Sequence, residues 1–270
     1  MTARVRDLLK AEGIDPPDAR ALLRTALKMS DAQIASRPEQ ELTDEQLERF
    51  LALIERRRAG EPVAYLTGER EYYSLTFKVT PAVLIPRPET ELLVDLLRER
   101  VDSGRTLRVL DLATGSGCIA IAVARNCRNA QVTATDVSPA AIALARENAT
   151  MHDAEIEFVQ SDWFDALSGR RFDVIVANPP YVAAGDHHLN EGDLRFEPRC
   201  ALVAGPTGYE CIETIVAQSP SHLLPGGWLL FEHGYDQALR VRARLTEAGY
   251  RDVCSARDLA GIERVSGGRV

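Results

Sequence analysis

From about residue 105 onward, short apolar runs alternate with amphipathic stretches, and few folds accept that order. Residues 107–112, 131–135, 156–159, 173–177 and 228–232 read as strands, and residues 118–124, 138–149, 210–218 and 237–248 as helices. Strands joined through helices run parallel, because the helix returns the chain to the edge it left. The stretch 250–270 holds two further strand-like runs with no helix between them, which predicts an antiparallel hairpin at a sheet edge. The pattern adds up to an α/β fold: a mostly parallel sheet of seven strands with helices on both faces.

Residues 1 to about 70 read as helices only. Leu47, Phe50, Leu51 and Ile54 fall at i, i+3, i+4 and i+7, one face of a helix. Thr43 with Gln46 forms a capping-box pattern at its start, and Gly60 with Pro62 ends it. Pro16 and Pro17, followed by Ala21, Leu22, Thr25 and Ala26, predict an earlier helix. Tyr72, Tyr73, Leu75, Phe77 and Val79 then alternate as in a strand, and Val83-Leu84-Ile85 is a second apolar run beyond Thr80-Pro81-Ala82. Arg87-Pro88-Glu89-Thr90-Glu91 opens the next helix, with proline early and acids in the first turn. The chain divides accordingly into an all-helical N-terminal domain over 1–70, a β-hairpin linker over 71–86 and an α/β domain over 87–270.

Three successive strand ends carry ligand-binding signals. Asp111-Leu112-Ala113-Thr114-Gly115-Ser116-Gly117 follows the first strand and opens a helix, and its small residues let the backbone approach a ligand. It lacks the G-x-G-x-x-G of a dinucleotide site and the lysine of a P-loop, which counts against a nicotinamide oxidoreductase. Asp136 lies just past the second strand, where a carboxylate accepts from ribose hydroxyls or caps the helix that follows. Ser161-Asp162-Trp163 sits just after the third, offering an acceptor for an adenine amino group and a ring to stack on it.

Asn178-Pro179-Pro180-Tyr181 follows the fourth strand at the same edge. A planar amide or aromatic amine nitrogen is a poor nucleophile because its lone pair is delocalised. Two acceptors that hold its two N–H groups aim that lone pair at an electrophilic methyl, and the Asn178 side-chain oxygen and the Pro179 carbonyl suit this task. The prolines stiffen the loop, and Tyr181 stacks on the flat substrate group. Positioning of this kind supplies rate without a strong base, and no general base is named. The tetrapeptide leaves two substrates open, a nucleic-acid base amine or a protein amide. A catalytically silent cofactor-binding scaffold is a third reading, opposed by the intact tetrapeptide.

Charge separates the first two. Lys plus Arg minus Asp plus Glu is 32 − 40 = −8, a poor match for a protein that grips nucleic-acid phosphates. No run is long and apolar enough to span a membrane, and the N-terminal stretch lacks the apolar core of a signal peptide. Cys118, Cys127, Cys200, Cys211 and Cys254 are odd in number with no C-x-x-C pair, as expected of reduced cytoplasmic thiols. His187 and His188, near Glu191 and Asp193, read as a solvated loop, and no metal site is expected.

The motifs at 111–117, 136, 161–163 and 178–181 resemble those of class I S-adenosylmethionine-dependent methyltransferases acting on planar nitrogen. Ile85-Pro86-Arg87-Pro88-Glu89-Thr90-Glu91, Glu232-His233-Gly234, Arg257-Asp258-Leu259 and Glu263-Arg264-Val265 make the chain similar, over nearly its whole length, to the PrmC/HemK family. The resemblance implies a Rossmann-like class I fold and methylation of the side-chain amide (N5) of the glutamine in the Gly-Gly-Gln motif of peptide chain release factors. It implies that Asp111, Ala113, Thr114, Gly115, Ser116, Gly117, Asp136, Asp162, Trp163 and Asn178 contact S-adenosyl-L-methionine, which leaves as S-adenosyl-L-homocysteine. Asn178, Pro179, Pro180 and Tyr181 are then expected to hold the glutamine, and the helical domain to recognise the release factor. A cytoplasmic monomer that binds no nucleic acid stably is expected. Ala113 stands where relatives usually carry glycine, and its methyl matters only if that residue needs φ > 0. Arg87 and Glu91 are open between catalysis and structure, and His233 reads as a structural contact.

Overall fold

A computed structural model describes residues 3–100 and 104–270. Met1 and Thr2, which begin the stretch read above for a leader, lie outside them. Two compact units emerge: Met1–Glu69 with Asn190–Phe196, and Arg70–Leu189 with Glu197–Val270.

Among its described residues the first unit holds five α-helices: α1 (Val5–Leu8), α2 (Pro16–Leu27), α3 (Asp31–Ser36), α4 (Asp44–Arg58) and α5 (Val63–Thr67). Both reciprocal hydrogen bonds of a capping box form at Ser30/Gln33 for α3 and at Thr43/Gln46 for α4. Leu22, Leu23 and Ala26 of α2 pack with Phe50 and Ile54 of α4 in one apolar core. Leu51 is exposed, so the buried stripe of α4 is narrower than its periodicity predicts. The short segment Asn190–Phe196 is tied into this unit. Arg57 Nε donates to Asp18 (2.8 Å) and Arg57 Nη1 to Asp193 (3.1 Å), while Arg195 donates to the Ala59 carbonyl.

The second unit opens with a hairpin, β1 (Glu69–Tyr72) and β2 (Leu75–Lys78). Its turn is at Tyr73-Ser74, both at positive φ (52° and 60°), rather than at residues 80–82. Val83-Leu84-Ile85 is not a strand. The prolines on either side withhold ladder donors, and Val83 instead packs against Ala141 and Leu144. Then follow α6 (Glu91–Arg100), β3 (Leu107–Leu112), α7 (Cys118–Asn126), β4 (Ala130–Asp136), α8 (Pro139–Met151), β5 (Ile156–Gln160), β6 (Phe172–Ala177), β7 (Val182–Ala183), α9 (Arg199–Leu202), β8 (Val203–Gly205), α10 (Glu210–His222), β9 (Leu223–Glu232), α11 (Ala238–Glu247), β10 (Arg251–Arg257) and β11 (Glu263–Arg269).

Seven of these strands form one sheet in the order β10-β11-β9-β6-β3-β4-β5. The five from β5 to β9 pair in parallel, and β10 and β11 close one edge antiparallel. Both faces are covered, so the central strands are apolar almost throughout. Val109, Val174, Val176 and Leu230 face a core built with Leu93, Leu97 and Ile119. Leu110, Ile175, Leu229 and Phe231 face the opposite core, with Ile212, Ile215, Val241 and Leu245. Strand order reverses at β3, which pairs with β4 on one side and β6 on the other. Such a reversal splays the two loops leaving the carboxyl ends and opens a ligand crevice between them.

Candidate active site

The crevice lies where the sheet topology places it. It is lined on one side by Ala113, Thr114, Gly115, Ser116, Asp136, Asp162 and Trp163, and on the other by Thr90, Asn178 and Pro180.

The loop after β3 is braced from below. Asp111 is fully buried; its Oδ2 accepts from Thr114 Oγ1 (2.6 Å) and the Ala120 amide (3.1 Å). Its Oδ1 has no hydrogen-bond partner, and burial pushes its carboxyl up to about 7. Asp111 and Gly117 do not line the crevice; they shape the loop that does. Gly117 adopts φ +82° and caps α7, and a Cβ there would sit 3.1 Å from the Ala145 Cβ. Gly115 also has positive φ, and a Cβ built on it meets no atom within 4 Å, so the backbone is open at this turn. Ala113 has φ +57°, the condition under which its methyl is strained.

Asp136 serves the loop and the crevice together. Its Oδ2 accepts from the Gly115 amide (2.9 Å) and its Oδ1 from the Ser138 amide (2.9 Å). A carboxylate has about four acceptor sites, so capacity remains for ribose hydroxyls. Burial raises its pKa, and the backbone hydrogen bonds from Ser138, Gly115 and Val137 oppose that rise. Asp162 is exposed at the rim, and Trp163 is held half-buried at φ +43°.

At the end of β6, Asn178 Nδ2 donates to Thr90 Oγ1 (3.1 Å), which in turn donates to Glu232 Oε2 (2.6 Å). Glu232 Oε1 accepts from the Tyr181 hydroxyl (3.1 Å). Tyr181 is thus anchored inward and, like Pro179, does not line the crevice; burial pushes its phenol well up. Glu232 is buried, which raises its pKa, while its bonds to Thr90 and Tyr181 pull the other way. Sequence reasoning gave neither Thr90 nor Glu232 a role. The available signal was an acid ending an otherwise apolar strand.

The segment before α6 is braced separately. Glu197, with a fully buried side chain, accepts from the Ile85 amide (3.0 Å) and pairs with Arg87. Glu91 accepts from the Tyr73 amide (2.8 Å), so it holds the hairpin turn. His233 is buried between Gly234 O (2.9 Å) and Ser266 Oγ (2.8 Å), a structural contact. His187 and His188 are exposed beside Asp186, outside the crevice. The five cysteines are free thiols.

A family profile described as the PrmC N-terminal domain matches residues 1–68, and one described as the methyltransferase small domain matches residues 88–193. A release factor glutamine methyltransferase of Burkholderia pseudomallei is 49% identical over 99% of this chain and 96% of its own length. One of Bordetella pertussis is 46% identical over 98% of each. The chain belongs to the PrmC/HemK family of methyltransferases. Its fold is that of class I enzymes: a T. thermophilus 16S rRNA N2 methyltransferase, solved with AdoMet and guanosine, superposes with a TM-score of 0.57 over 74% of this chain and 49% of that one, at 22% identity. S-adenosyl-L-methionine is the methyl donor. The crevice fits it, with open backbone at Gly115, a carboxylate with spare acceptor sites at Asp136 and an aromatic face at Trp163.

Proposed function

We propose that this protein methylates the side-chain amide nitrogen (N5) of the glutamine in the Gly-Gly-Gln motif of peptide chain release factors, tuning translation termination. The observation that carries this reading is the amide of Asn178. Its Nδ2 is committed to Thr90, which leaves Oδ1 as a free acceptor at the crevice wall beside the cofactor loop.

Ala113, Thr114, Gly115 and Ser116 would hold the amino-acid part of the donor, Asp136 its ribose, and Asp162 and Trp163 its adenine. Asp111 and Gly117 act by holding the loop in shape. When bound, the donor supplies an electrophilic methyl on a sulfonium. Asn178 Oδ1, at the crevice wall, accepts one N–H group of the substrate amide and orients its plane, with Pro179, Pro180 and Tyr181 stiffening the loop that presents it. The lone pair normal to that plane would then face the methyl that the donor presents. The donor would supply the methyl and keep the electron pair of its S–C bond as a neutral thioether, and the methylated nitrogen would shed its extra proton to solvent. The buried carboxylate Glu232 already accepts from two hydroxyls, those of Thr90 and Tyr181, and is not a base for this step.

The helical unit recognises the release factor, and the partner is a protein rather than a nucleic acid, in keeping with the net charge of −8. No described helix is long and apolar enough to cross a membrane. The enzyme works as a cytoplasmic monomer. Incubation with methyl-labelled donor should label purified release factor, and changing the Gly-Gly-Gln glutamine should abolish the label. Label on structured RNA or DNA alone would refute this reading. Asn178→Ala should lower turnover by at least about 10²-fold while the donor still binds in calorimetry.

A further inference from the structure

We propose that Thr90 and Glu232 are positioning residues that set which end of the Asn178 amide faces the substrate. The inference rests on Asn178 Oδ1 being the acceptor for the substrate amide. An asparagine side chain is nearly symmetric in shape, and its two ends differ only in what they bond. In a loop that must present oxygen to an N–H donor, a flipped amide would present two donors instead and repel the substrate. Something must hold the choice.

The register brings the holding groups together. Ala177 of β6 pairs with Phe231 of β9, so the next residues, Asn178 and Glu232, leave neighbouring strands at the same level. Thr90 reaches the same point from the turn before α6. Its backbone carbonyl accepts from the buried Tyr72 hydroxyl (3.0 Å), and its β-branched side chain has few rotamers. Thr90 and Glu232 are each 2% exposed, so water does not compete for their bonds.

The direction of each bond then follows. A carboxylate can only accept, so Glu232 accepts a hydrogen bond from each of its two hydroxyl neighbours, Thr90 at 2.6 Å and Tyr181 at 3.1 Å. A hydroxyl has one proton. With it given to Glu232, Thr90 Oγ1 has only lone pairs to offer Asn178, and only the NH2 end can meet them. Were the amide flipped, two oxygens would face each other at the Asn178–Thr90 distance with no hydrogen between them. One buried carboxylate thus orients the acceptor at residue 178 and anchors the ring at residue 181, both ends of the tetrapeptide.

The test compares Thr90→Val, which keeps the shape and removes the hydroxyl, with Thr90→Ser, which keeps the hydroxyl. The readouts are kcat and KM for release factor methylation, donor affinity by calorimetry, and Tm. Thr90→Val should lower kcat on the order of 10²-fold, with release-factor KM and donor Kd within about threefold of the parent. Thr90→Ser should keep kcat within about threefold. Glu232→Gln, which leaves one hydroxyl without its acceptor, should fall between them and serves if Thr90→Val does not fold. Full activity in Thr90→Val, or an equal loss in Thr90→Ser, would overturn the proposal. Asn178→Ala, run alongside, locates a failure. If it is inactive while Thr90→Val is active, only the orienting role is wrong; if it is active, the reading of Asn178 itself has failed.

Discussion

At Ala113 the backbone is held at φ +57°, a region an L-residue enters at a cost of about 1–2 kcal/mol and glycine enters freely. Ala113→Gly is therefore expected to gain about 1 kcal/mol net of glycine's greater unfolded-state entropy, or roughly 2–4 °C in Tm, with donor affinity equal or tighter. Thermal unfolding with and without donor checks this. Two residues upstream, Asp111 makes a prediction about pH. Its native carboxyl keeps a proton to about pH 7, whereas the unfolded one releases it near 3.8. Between those values the native state holds more protons, so this residue makes stability fall as pH rises, by at most about 1.4 kcal/mol per unit. Asp111→Asn keeps an acceptor for Thr114 and Ala120 and removes the titration, so its Tm should decline less than the parent's between pH 5 and pH 8. Residues such as Asn178 and Asp136 were legible in the sequence as candidates because each is a polar residue at the carboxyl end of an apolar run. Thr90 and Glu232 were not, because their bond spans 142 positions and only the folded sheet edge reveals it.

Elements were read more reliably than the joints between them. The strands and helices after residue 105 follow from long apolar runs and from caps such as Ser138, whose side chain accepts from the Ala141 amide. The hairpin was misplaced because its turn, Tyr73-Ser74, uses two positive-φ residues without the Asn-Gly signature that marks such turns, while Thr80-Pro81-Ala82 carries a turn-like composition. At the junction of β3 and α7, Gly117 lets α7 start close against α8. Gly117→Ala should force the two helices apart at Ala145, costing about 2 kcal/mol and roughly 5 °C in Tm. Donor affinity should weaken as well, since the loop that lines the crevice ends at this residue. A variant with parental Tm and Kd would show that the helices absorb the added methyl.

For the whole molecule, the division into a helical region and an α/β region was legible from composition and periodicity, but the route of the chain was not. Residues 190–196 lie deep within the α/β sequence, carry no helical periodicity, and are nonetheless counted with the helical unit. Arg57 holds them through Asp193, a half-exposed partner, while its bond to Asp18 is more sheltered. Arg57→Ala should loosen the segment by about 0.5–1 kcal/mol and raise the rate of limited proteolysis within residues 184–198 two- to fivefold. Unchanged cleavage would place the hold elsewhere, on Arg195 and the Ala59 carbonyl. The interleaving also sets a rule for recombination. A chimaera that takes its helical unit from one family member and its sheet from another inherits a mismatched seven-residue insert. Exchange between relatives at a single crossover near residue 69 should fold less well than exchange that carries residues 190–196 along.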